Sequence, residues 1–189
     1  MVGPMVLPGT YTAKLTVDGR SYTQPVTVVQ DPRITIPATA LAAQFRLQQR
    51  MVAGIAATYH AVTYIQQLRG ALSTRMTEAA SNPAGAQAAT AEKALDAALA
   101  PFETGPTGLG VAHRDLGRRL NDLLVGDVAP TPSVIAGVDR PCKAIDSALD
   151  GLRRLETTSV AELNATLAGA GLALLPTWTP PATPACGMR

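Results

Sequence analysis

Apolar and polar residues alternate strictly near the start of the chain: Tyr11, Ala13, Leu15 and Val17 are separated by Thr12, Lys14 and Thr16. A period of two is the pattern of a strand with one buried face. Asp18-Gly19 follows, a dipeptide suited to the positive φ angles of a type I′ turn. Centring the turn there pairs Val17 with Arg20, Leu15 with Tyr22, Ala13 with Gln24 and Tyr11 with Val26. The larger apolar groups then share one face, which supports the register. Pro25 falls opposite Thr12 in a non-hydrogen-bonded pair, so its missing N–H is lost only from the outer side of the second strand. That marks an edge or an interruption there. A two-stranded hairpin is marginal in water, and no other segment alternates convincingly. Tyr11, Leu15, Tyr22 and Val26 are therefore the candidate interaction face, to be covered by this chain's helices or by strands outside it.

After residues 30–33 the apolar period changes from two to three and four. Residues 37–80 read as one long helix, with Pro37 at its first position and Leu41, Phe45, Val52, Ile55, Val62 and Leu68 as its expected core face. Gly54 and Gly70 each weaken that helix by about 1 kcal/mol relative to Ala, though both permit close helix contact. The breaker at 81–85 ends it. An alanine-rich helix over 86–100 carries Leu95, Leu99 and Phe102, and a Gly/Pro loop over 103–110 leads to a third helix over about 110–125. Thr131 as N-cap and Pro132 at N1 open a fourth helix, in which Pro141 is expected to make a kink. Ser159 and Glu162 fit a capping box opening a short fifth helix. The Pro/Thr-rich end reads as extended or disordered. The fold expected is mainly α: a hairpin over 1–33, an up-down bundle of four to five helices over 34–175, and a flexible Pro-rich tail over 176–189.

Composition sharpens this picture. Of 189 residues, 47% are hydrophobic but only 4% aromatic, which suits an Ala/Leu core of packed helices. A net charge of +2, from 16 basic and 14 acidic residues, points to neither nucleic acid nor an anionic membrane. No apolar run reaches the roughly 18 residues of a membrane span. The opening residues have neither the basic nor the apolar region of a signal peptide. Cys142 and Cys186 are far apart, in no metal-ligand spacing. The reading favours two separate thiols, Cys142 being buried and inert on its helix stripe, with a disulfide tying the tail to that helix as the alternative.

Chemistry is sparse. His60 and His113 lie in no zinc-binding spacing, and no nucleophile-elbow motif is present. The glycine-rich 105–110 segment follows a helix rather than a strand, so it reads as a connector and not a phosphate loop. Asp146/Asp150 and Asp115/Asp122 stand beside arginines, as solvated ion-paired helix faces do. The Arg118-Arg119 and Arg153-Arg154 pairs are too few for a nucleic-acid footprint, and Trp178 reads as an anchor onto the bundle. No catalytic, cofactor-binding or metal-binding residue is expected.

One stretch carries a resemblance. LPGTYTAKLTVDGRSYTQPVTVVQDPR, residues 7–33, closely resembles a segment near the C-terminus of large secreted bacterial β-propeller proteins with sialidase-type (BNR) or sortilin-like repeats, often labelled glycosyl hydrolase. There a PGTY…DG…QP…DPR stretch closes a small Ig-like sandwich after the propeller. The later LLVGDVAPTP (123–132) and VAELNATLAGAGLALL (160–175) are loosely similar to that family's ending. The resemblance implies that this chain corresponds to the end of a longer protein, entering at Met1 inside the sandwich. It also implies an extracellular or periplasmic location, and a glycosidase-like site, if any, in the propeller. The expected role is thus a non-catalytic structural or accessory module whose hairpin is the remnant of an Ig-like domain. Its partners would be the upstream sandwich and propeller domains, or a separate protein. The alternative is a stand-alone helical binding or dimerisation module, with the hairpin face or the long helix as its contact surface and self-association through the hairpin face as one form of it. A glycosidase-related enzyme with an unrecognised site is the remote third.

Overall fold

The computed structural model of the protein describes residues 3–79, 88–103, 108–181 and 185–186. The expected breaker at 81–85 and residues 104–107 of the Gly/Pro loop lie outside them. Strand β1 (Gly9–Val17) and strand β2 (Arg20–Val28) pair antiparallel in the register that the alternation predicts, from Val17 opposite Arg20 to Gly9 opposite Val28. Asp18 and Gly19 take φ angles of 48° and 76°, the left-handed pair that a type I′ turn needs. Asn, Asp and Gly tolerate that region best, which is why the dipeptide fixes the register.

Helix α1 (Ala38–Ala79) runs 42 residues, about 63 Å at 1.5 Å per residue. The carbonyl of Pro37 receives its first bonds, from the amides of Ala40 and Leu41. α1 packs against α2 (Ala89–Glu103), α3 (Leu109–Leu123) and α4 (Pro132–Leu155), and one apolar core joins the four. A helix contacted from several sides buries more than one stripe. Met51, Ala61, Ile65 and Leu72 are fully enclosed, and the expected Leu41, Ile55 and Leu68 are buried with them. The expected Phe45, Val52 and Val62 are only half-buried, and Tyr59 of the same stripe is exposed. Polar side chains fill the difference at one end. Gln44 donates to the carbonyls of Leu123 and Gly126, both at 2.8 Å, and Gln48 donates to Leu123 at 3.0 Å. These amides satisfy carbonyls that the end of α3 leaves without helical partners.

Thr131 caps α4 as expected, its hydroxyl accepting from Val134 N at 3.3 Å. α4 continues through Pro141 to Leu155 as one helix. The capping box at Ser159 and Glu162 does not form. The chain instead leaves α4 through a single π-helical turn, Glu156–Val160, directly into α5 (Ala161–Gly169). The wider turn frees carbonyls, and hydroxyls take them up: Thr157 donates to Arg153 and Arg154, and Thr158 to Arg154.

Residues 172–181 are neither helix nor strand, yet they are packed rather than loose. Asn164 clamps Leu175 from both sides, accepting its N–H at 2.7 Å and donating to its carbonyl at 3.2 Å. Trp178 lies on Tyr64 with ring centroids 5.3 Å apart, the anchor that its lone position among prolines suggests. Arg75 donates to the carbonyl of Ala173. The two cysteines are not separate thiols: Cys186 is disulfide-bonded to Cys142 with Cα atoms 5.4 Å apart, an ordinary span for the bond. Their separation of 44 residues hid this, because only the returning course of the tail brings Cys186 over α4. Among the described residues no helix is long and apolar enough to cross a membrane.

Candidate functional site

The hairpin stands out because nothing among the described residues covers it. Tyr11, Leu15, Tyr22 and Val26 share one face and are 39%, 62%, 58% and 46% exposed. Val17 on the same face is exposed too. The helices therefore do not supply the cover that an amphipathic pair of strands calls for, and the four residues form the contiguous apolar patch that the alternation predicts. The opposite face is polar, with the Thr16 and Ser21 hydroxyls 2.9 Å apart across the strands.

The two edges of the hairpin differ. Closing the two-residue turn with Val17 and Arg20 makes alternate pairs hydrogen-bonded inward. The N–H and C=O groups of Thr10, Thr12, Lys14 and Thr16 then point outward from β1 as an uninterrupted row. On β2 the outward row passes through Pro25, which has no N–H. Among the described residues no further strand pairs with either edge. The β1 edge can therefore accept another strand along its whole length, and the β2 edge cannot.

At its base the hairpin meets the end of the bundle around a crevice of about 280 Å³, lined by Leu7, Val29, Leu41, Phe45 and Val125 among others. Tyr11 donates its phenol proton to the Leu7 carbonyl at 2.6 Å. Gln30 bonds the carbonyls of Ile34 and Ile36, and Asp31 pairs with Arg33 at 2.6 Å. These short-range bonds set where the hairpin leaves the bundle without burying either of its faces.

The residues with conventional reaction chemistry do not converge. His60 is exposed. His113 is half-buried with Nδ1 2.9 Å from the Thr58 hydroxyl. That hydroxyl spends its one proton on the Ile55 carbonyl at 2.7 Å, so the imidazole donates and is held as packing. Asp115 is shared by Arg118 and Arg119 at 2.8 and 3.2 Å. Burial alone would raise its pKa, but the two arginines outweigh it and hold the carboxyl below its ordinary value. Asp150 pairs with Arg153 at 2.5 Å, while Asp146 accepts the Ala185 N–H at 2.6 Å. Burial pushes Asp146 up, and it does the same to Glu156, which takes the Trp178 N–H. Both carboxylates fasten the tail. Among the described residues no three His, Cys, Asp or Glu side chains come together as a metal site.

No protein-family model, curated protein or solved structure matches the chain.

Proposed function

We propose that the chain is a non-catalytic accessory module whose hairpin completes a β-sheet supplied by another segment of a larger protein, of the BNR-type β-propeller kind that residues 7–33 resemble. The observation behind this reading is the open hairpin: an apolar face of Tyr11, Leu15, Tyr22 and Val26 beside an unbroken β1 edge. A pair of strands gains stability when a third strand or a covering layer arrives, and an added strand on β1 would extend the apolar face sideways into a surface wide enough for a second layer to cover. The completed unit would be the Ig-like sandwich that the resemblance implies, with the helical bundle as the rigid body attached to it. The disulfide between Cys142 and Cys186 fits the oxidising compartment of a secreted parent.

The test is the mass of the endogenous protein that carries this sequence, read by immunoblot with an antibody to residues 37–80. A band far above 19.6 kDa is expected. A band at that mass would overturn the larger-protein reading. It would bring forward dimerisation, because the β1 edges of two copies can pair with each other into one four-stranded sheet. A mass that doubles with concentration in light scattering would identify that case.

A further inference from the structure

A groove of about 970 Å³ lies between residues 111–119 of α3 and residues 140–144 of α4, and its charge is one-sided. Arg114, Arg118, Arg119, Arg140 and Lys143 line it, against the single carboxylate Asp115. The groove thus carries four more positive than negative charges, in a chain whose whole balance is +2. Everything outside it is therefore net negative by two.

We infer that this groove binds a compact multivalent oxyanion, a cluster of phosphate or sulfate ester groups on a body small enough to lie along its apolar floor. An ordinary solvated ion-pair face would alternate its charges, and this one does not. Asp115 is already committed to Arg118 and Arg119. Asp139, next to Arg140 in sequence, is turned away to Arg50 at 2.8 Å. Arg114, Arg140 and Lys143 form no ion pair among the described residues, so three cations face the groove without a counter-charge.

The arginines are also positioned rather than free. Asp115 holds Arg118 and Arg119 by their guanidinium nitrogens. Arg119 reaches across to α4 over Gly137, where any Cβ would collide with its guanidinium. The bare backbone there lets the planar fork lie close against the neighbouring helix. Guanidinium forks match the paired oxygens of phosphate and sulfate. Val111, Ala112 and Pro141 form the apolar floor, and the volume lies within the usual range for small-ligand sites, roughly 300–1,000 Å³.

Isothermal titration of the full chain, with the disulfide intact and ionic strength fixed, tests this with sodium tripolyphosphate and, separately, a trisulfated disaccharide. At least one probe should bind one per chain, and which one it is separates phosphate from sulfate. The variant R140Q/K143Q should weaken that binding by about tenfold or more with an unchanged melting temperature, because both side chains are exposed. The variant K14Q/R20Q removes as much charge from the hairpin and should leave binding unchanged. Absence of binding by both probes overturns the inference. So does an equal loss in the two variants, which would mean that only net charge matters. A glutamate tetrapeptide binding more tightly than either probe would also overturn it, in favour of an acidic peptide.

Discussion

Gly54 and Gly70 occupy the same helix and have opposite surroundings. A Cβ at Gly54 would strike Cys186 Sγ and approach Leu116 Cδ1 to 2.7 Å, whereas a Cβ at Gly70 meets nothing within 4 Å. G54A should therefore destabilise the protein by about 1–2 kcal/mol, overpacking outweighing the gain in helix propensity. G70A should stabilise it by about 0.5–1 kcal/mol. Urea unfolding of both variants measures this, and a stabilising G54A would refute the close approach. Arg75 and Glu92 form a pair at 3.0 Å with side chains only 8% and 1% exposed. Removing one partner strands the other charge, so E92L should cost about 3–5 kcal/mol. By contrast D96A, which breaks the half-exposed pair with Arg69, should cost less than about 1 kcal/mol by the same unfolding measurement.

At the scale of elements, the hairpin was fully legible because two independent signals agree: side-chain alternation sets the faces, and Asp18-Gly19 sets the turn. The described helices were legible in approximate extent for a similar reason, since Thr131-Pro132 marks a start and each apolar stripe marks a length. What failed required knowledge of neighbours. The inner face of α1 includes Gln44 and Gln48, which are buried only because α3 ends beside them. Ser159 and Glu162 carry a capping signal, but the preceding turn stays helical and leaves no start to cap. The basic groove escaped notice because its residues come from two helices more than twenty positions apart, each with an unremarkable charge pattern. Substitutions should respect this division of the molecule. L15D and Y22D lie on an uncovered face and should leave the bundle's thermal midpoint unchanged by circular dichroism, within about 0.5 kcal/mol. I55D buries an unpaired charge in the core and should abolish the cooperative transition.

At the scale of the whole molecule, the tail makes the bundle a closed unit. It is held by the Asn164 clamp, the Trp178 stack, the carboxylates of Asp146 and Glu156, and finally the disulfide. Reducing that bond, or replacing it with C142S/C186S, should lower stability by about 2–4 kcal/mol, seen as a fall in the denaturation midpoint under dithiothreitol. An unchanged midpoint would mean that the non-covalent contacts alone fix the tail. Among the described residues the hairpin has no comparable closure: a disulfide-tied bundle carries a pair of strands that is open on its apolar face and along the β1 edge. Hydrogen–deuterium exchange of the purified chain tests it most directly, at a concentration where light scattering gives the 19.6 kDa monomer. The account predicts that amides of residues 9–28 exchange within seconds to minutes while those of 51–72 stay protected for hours. Protection of 9–28 equal to that of the helices would show that the hairpin is already stable alone, and would contradict the docking role proposed for it.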